Sequence, residues 1–219
     1  IGDFDYSKGS PGIMVHKGAE VRLVGCTVSK VAGCGLFGGL QGRPNKSKIP
    51  IKACTISIRS SHFHSNRCAG VWLIYARNCT IINSRFTGNG TCGLYLDGTP
   101  GIRIEKCKVL SNGEHGIALD RPFKHLEKDD QNKGGCLEST TLGLDLRSEC
   151  ADVRECNVSE NKWGGIIVQR GVSASVCNCE VVANGEDGIY FTATGLNSDY
   201  GPLTNPLPEE MRCEKKCRV

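Results

Sequence analysis

Alternating apolar residues return at a fixed interval along this chain. The runs read Gly12-Ile13-Met14-Val15, Gly35-Leu36-Phe37, Gly70-Val71-Trp72-Leu73, Gly93-Leu94-Tyr95-Leu96, Gly116-Ile117-Ala118-Leu119, Gly165-Ile166-Ile167-Val168 and Gly188-Ile189-Tyr190-Phe191. Four of the six intervals between these glycines are 23 residues, and the other two are 35 and 49, the same unit lengthened by 12 or 26. A fixed period of this size predicts a solenoid, and period-two alternation within it predicts strands. Two further apolar pairs precede each glycine. Val21 and Leu23, Ile56 and Ile58, Cys79 and Ile81, Ile102 and Ile104, Ala151 and Val153, Ala174 and Val176 form one set. Cys26 and Val28, Ser61 and Phe63, Ser84 and Phe86, Cys107 and Val109, Cys156 and Val158, Cys179 and Val181 form the other. Each unit therefore holds three short strands with two side chains pointing inward. Stacked units make an all-β, three-sided coil of about seven turns with three parallel sheets, rising roughly 4.8 Å per turn.

Four positions before the glycine stand Asn66, Asn89, Asn112, Asn161 and Asn184. Asparagine tolerates left-handed backbone angles, and its amide can bond the same group one coil away. A turn-former at every corner and a stacked amide ladder both give this column a structural role.

The pattern resembles the right-handed parallel β-helix repeats of the pectate-lyase-like superfamily, shared by polysaccharide lyases, mannuronan epimerases, copper-associated periplasmic proteins and the substrate-binding region of certain F-box proteins. The segment Asn66-Arg67-Cys68-Ala69-Gly70-Val71-Trp72-Leu73 is most similar to the F-box type. The likeness spans about residues 10–192. It implies fold, because this scaffold hosts many activities. The F-box type implies a peptide ligand and a longer parent chain.

The repeats leave room for a single domain, residues 1–192, with insertions at about 40–50 and 121–150. Residues 193–219 read as a cap or linker, and the acidic start and basic end of 209–219 suit a short helix. An isoleucine at position 1 suggests a fragment or a processed chain. No apolar run reaches membrane-spanning length, and no signal peptide is visible.

Fourteen cysteines enter next. Cys26, Cys107, Cys156 and Cys179 share one inward column with two serines. Cys79 lies in another, and Cys34 and Cys92 directly precede the repeat glycine. These positions suit small buried side chains, so reduced core thiols in a cytoplasmic or nuclear protein are the first reading. Disulfides in a secreted protein are the second. Zinc is the weakest, since Cys177-x-Cys179 and Cys213-x-x-x-Cys217 lack partner pairs at finger-like spacing, and neither metal nor cofactor is expected. Sequons at Asn45, Asn78, Asn89 and Asn157 would matter only on a secretory route. The net charge of +4 is mild and scattered, which points away from nucleic acid.

The two insertions leave the coil at the same corner and bracket the third and fourth turns like walls. In solenoids such a face is often the binding face. Between them the outward column two positions after the glycine reads Met14, Phe37, Trp72, Tyr95, Ala118, Ile167, Tyr190. The next outward column holds His16, Ile74, Asp97, Asp120, Gln169 and Thr192. Aromatic faces beside carboxylates suit a sugar ring or a peptide with a basic residue. Phe37, Trp72, Tyr95, Asp97 and Asp120 are therefore the candidate ligand-binding residues. A second outward column contains three basic groups, His62, Arg85 and Lys108, a possible patch for an acidic partner.

An enzyme of this fold would use Asp97, Asp120 and His115, with Tyr95 and Lys124 or His125 nearby. Two aspartates one strand spacing apart are closer than the roughly 6.5–9.5 Å of an inverting hydrolase. No acidic cluster dense enough for calcium is present, and no lyase motif carries over. The leading expectation is a non-catalytic scaffold that binds a peptide segment or a glycan on the aromatic strip. A polysaccharide lyase, epimerase or hydrolase acting on acidic polysaccharide is the second. An architectural rod whose insertions lie flat over the strip is the third. Oligomeric state is left open.

Overall fold

A computed structural model describes residues 9–16, 18–39, 53–99, 101–120, 150–169 and 172–191. These residues form nineteen strands in three parallel sheets. The first sheet follows the repeat glycine: Ile13–His16, Leu36–Gly39, Val71–Ile74, Leu94–Asp97, Ile117–Asp120, Ile166–Val168 and Ile189–Phe191. The second contains Glu20–Val24, Thr55–Arg59, Thr80–Ile82, Arg103–Glu105, Ala151–Arg154 and Ala174–Cys177. The third contains Thr27–Ser29, His62–His64, Arg85–Thr87, Lys108–Leu110, Asn157–Ser159 and Glu180–Val182. Every strand pairs with the strand one turn away, so the three-sided coil expected from the 23-residue unit is the observed architecture.

Register passes through both insertions unchanged. Val21 pairs with Ile56 across the first, and Ile104 with Val153 across the second. Identical columns therefore stack. Phe63 lies over Phe86 with ring centroids 5.5 Å apart and planes 11° off parallel. Around them Ile56, Ile58, Leu73, Ile81, Leu94 and Ile104 fill one continuous core with no exposed surface.

The asparagines form the stacked amide ladder. The Nδ2 of Asn66, Asn89, Asn112 and Asn161 donates to the Oδ1 of the next at 3.0, 3.0, 2.9 and 2.9 Å. Each Oδ1 also accepts the backbone N–H of the preceding asparagine, as Asn89 N to Asn112 Oδ1 at 3.1 Å. These bonds satisfy buried amides at a corner that lies inside the coil. They also explain the period glycine. A Cβ on Gly116 would lie 2.4 Å from Val158 Cγ1, 2.7 Å from the Gly165 carbonyl and 2.8 Å from Asn161 Nδ2. The strand begins directly over the ladder, and only hydrogen fits there.

Serine and cysteine share one column because both perform the same task. Ser61 and Ser84 donate to the carbonyls of Arg59 and Ile82 at 2.8 and 2.9 Å, and Cys107, Cys156 and Cys179 to those of Glu105, Arg154 and Cys177 at 3.3, 3.2 and 3.3 Å. The eleven cysteines among the described residues are free thiols. Burial pushes Cys54 up to about 11 and Cys34, Cys79 and Cys92 up to about 12.

Candidate functional site

Much of the outward face of the first sheet is shielded from solvent. Phe37 and Ala118 are each 1% exposed, and Met14, Trp72 and Tyr95 are half-buried. Phe37, Ile74 and Tyr75 join Cys34, Cys68 and Ala69 from the preceding corner in a second apolar cluster, separate from the interior. Trp72 and Tyr95 pack against it. In-register pairing of Phe37 with Trp72 and of Trp72 with Tyr95 sets the rings edge to face, at 5.7 Å and 76° and at 5.3 Å and 83°. That geometry is favourable for aromatic pairs and leaves faces and edges alternating along the strip.

Two residues further along the strand the face becomes polar. Asp97 and Asp120 are direct register neighbours on adjacent strands. Tyr95 Oη donates to Asp120 Oδ2 at 3.1 Å. Burial first, and then the Asp120 charge, push the Asp97 carboxyl up to about 7. Burial and both aspartates likewise push the Tyr95 phenol well above its usual range. The strip thus ends in two carboxyls of different character, one bonded to a tyrosine and one poised to hold a proton near neutrality.

Tyr75, which the sequence pattern did not single out, completes this end. It follows the strand Val71–Ile74, and its N–H donates to the Asp97 carbonyl at 2.9 Å. Its phenol is pushed above its usual range by burial and by Asp97. Its signal in the sequence is a tyrosine at the position that Gly98 occupies one coil later.

His115 is not brought to the aspartates. It precedes the strand that Asp120 ends, about 16 Å away along an extended chain. Its Nδ1 accepts the Gly164 N–H at 3.1 Å, its ring meets Trp163 edge to face at 5.3 Å, and burial holds it below its ordinary value. His62, Arg85 and Lys108 do stack in register, but on the third sheet, a different face. His62 Nε2 bonds Thr87 Oγ1 at 2.8 Å, and burial, His64 and Arg85 hold its imidazole below its ordinary value. Among the described residues this basic column has no ion pair.

Lys124, His125, Asn45, residues 40–50 and 121–149, and residues 192–219 lie outside the described residues. Among the described residues no group of three His, Cys, Asp or Glu is arranged to hold a metal ion, and no helix is long and apolar enough to cross a membrane.

The three-sided parallel coil has a counterpart among known families. A family described as a right handed beta helix region matches residues 11–199. The chain belongs to the right-handed β-helix family. Solved structures that resemble this β-helix include the A-module of mannuronan C-5 epimerase AlgE6 from Azotobacter vinelandii, at 18% identity over 88% of this chain and 54% of that one, with a TM-score of 0.37. Another is the Dettilon tailspike protein, at 15% identity over 88% of this chain and 42% of that one, with a TM-score of 0.33. The chain thus spans about half the length of these structures. No curated protein matches the sequence.

Proposed function

We propose that this β-helix is a recognition scaffold that holds a glycan across Trp72, Tyr95, Asp97 and Asp120. The observation that carries the reading is an outward, half-buried aromatic pair that runs directly into a carboxyl pair on neighbouring coils. Aromatic rings take the C–H faces of a sugar, and carboxyls take its hydroxyls. A basic peptide would need two dependable anions here. Asp97, pushed up to about 7, is a poor one at neutral pH, which favours a neutral hydroxylated ligand.

The test is retention on a glycan array and on a peptide library by the wild-type chain and by Trp72→Ala and Tyr95→Ala. Glycan retention that falls at least about tenfold in each variant supports the reading. Retention of peptides alone would replace the glycan with a peptide, the ligand that likeness to the F-box type suggests. Retention of nothing, or of ligands indifferent to both substitutions, would sink it.

A carbohydrate-active enzyme is the second reading, favoured by the same raised Asp97 beside a tyrosine-bonded Asp120. A carboxyl that carries its proton near neutrality has the affinity a general acid or base needs. Assays of uronate-containing glycans by ultraviolet absorbance and NMR decide it. Turnover lost in Asp97→Asn and Asp120→Asn supports catalysis, and no turnover removes it.

A further inference from the structure

Two buried polar atoms on the outward face of the first sheet have no hydrogen-bond partner among the described residues: Tyr75 Oη and Asp97 Oδ1. Buried polar groups are almost always paired, so two orphans in one place need an explanation. These two belong together. The Tyr75 N–H is bonded to the Asp97 carbonyl, and the Asp97 charge is among the causes that oppose loss of the Tyr75 proton. Tyr75 is 1% exposed and belongs to the apolar cluster that Trp72 and Tyr95 pack against.

Tyr75 has φ +53°, and one coil later the equivalent corner is Gly98 at φ +56°. That left-handed turn is the ordinary corner of this coil, since eleven other non-glycine residues among the described ones have φ between +48° and +57°. What sets Tyr75 apart is a buried hydroxyl with no partner among the described residues.

We infer that Tyr75 and Asp97 form a buried socket that receives one hydroxyl group of the ligand, an assignment that rests on the glycan reading above. The chemistry selects the group. Tyr75 Oη–H needs an acceptor, and an ionised Asp97 Oδ1 needs a donor. An ammonium offers no acceptor and a carboxylate offers no donor. A hydroxyl offers both at one atom, and it still fits when Asp97 carries its own proton, because its oxygen then accepts. The apolar surroundings make each of these bonds count, since a ligand that lacks the hydroxyl leaves both protein atoms orphaned. The aromatic pair would then supply area, and the socket would choose which sugar hydroxyl points inward.

The experiment uses the glycan best retained by the wild-type chain, together with its set of monodeoxy analogues. One analogue, and not the others, should bind wild type at least about tenfold more weakly. Tyr75→Phe should bind the parent glycan more weakly than wild type does, by less than that analogue loses because the bond to Asp97 remains, and should bind the analogue itself no more weakly than wild type does. Because its hydroxyl is unpaired in the free protein, Tyr75→Phe should melt at the wild-type temperature or above it. A lower melting temperature would mean that the hydroxyl supports the fold, which overturns the socket. Equal wild-type affinity for every deoxy analogue overturns it without any variant. Glycan retention that is unchanged in Tyr75→Phe overturns the socket alone, whereas a wild-type chain that retains no glycan overturns both the socket and the reading beneath it.

Discussion

Replacing Asp97 by asparagine isolates the most perturbed carboxyl of the outward face. Folding takes this side chain out of water and sets it beside Asp120, so its proton affinity rises from the ordinary 3.8 to about 7. The sign of the linkage follows directly. Between these values the folded chain keeps a proton that the unfolded chain has released, so stability falls as pH rises. The favourable contribution is complete below about pH 4 and gone above about pH 7. Its full size is about 4 kcal/mol, a large share of the 5–15 kcal/mol that holds a typical domain together. The substituted amide would keep the shape and carry no charge, while Asp120, Tyr95 and Tyr75 remain around it. The stability of Asp97→Asn relative to wild type should therefore climb steadily between about pH 4 and pH 8, by up to about 4 kcal/mol. Urea unfolding followed by the fluorescence of Trp72 and Trp163 measures it. A difference between the two proteins that stays constant over that window would refute the reasoning, because it would show that the carboxyl ionises normally in the folded state.

Three further outcomes follow from the fold. Asn112→Ala removes four hydrogen bonds and strands the Asn89 N–H, so urea unfolding should show a loss of about 2–6 kcal/mol. Gly116→Ala sets a methyl against Val158, the Gly165 carbonyl and the Asn161 amide, and should cost about 3 kcal/mol or more in the same assay. A thiol reagent applied to the native protein should label exposed Cys150 well before Cys34, Cys54, Cys79 or Cys92, whose burial keeps them protonated, as peptide mapping by mass spectrometry would show.

Much of this was legible in the chain because in-register parallel stacking turns sequence spacing into spatial adjacency. A residue and its counterpart 23 positions later become neighbours. That rule places Asp97 beside Asp120, Tyr95 beside Trp72 and Lys108 above Arg85. It also gathers the asparagines into one column and the inward cysteines into another, while the amide ladder and the thiol-to-carbonyl bonds are read from the structure. It did not expose Tyr75, because the ruler compares like with like and Tyr75 is unlike its counterpart Gly98. Nor did it separate His115 from the aspartates. Five residues look close in a sequence, but a strand is nearly fully extended, and the two ends of one strand are distant.

The sequence by itself determined the architecture: the number of strands in a turn, the side each residue faces and the neighbours it stacks on. All of these are consequences of period and parity. The tertiary structure alone decided the environment of the outward face. Whether Phe37 is covered, whether Asp97 keeps its proton and whether the Tyr75 hydroxyl finds a partner depend on how much water remains around each atom. Solvent exclusion is set by everything packed nearby in space, including the corner residues Cys34, Cys68 and Ala69, and no column of the repeat records it.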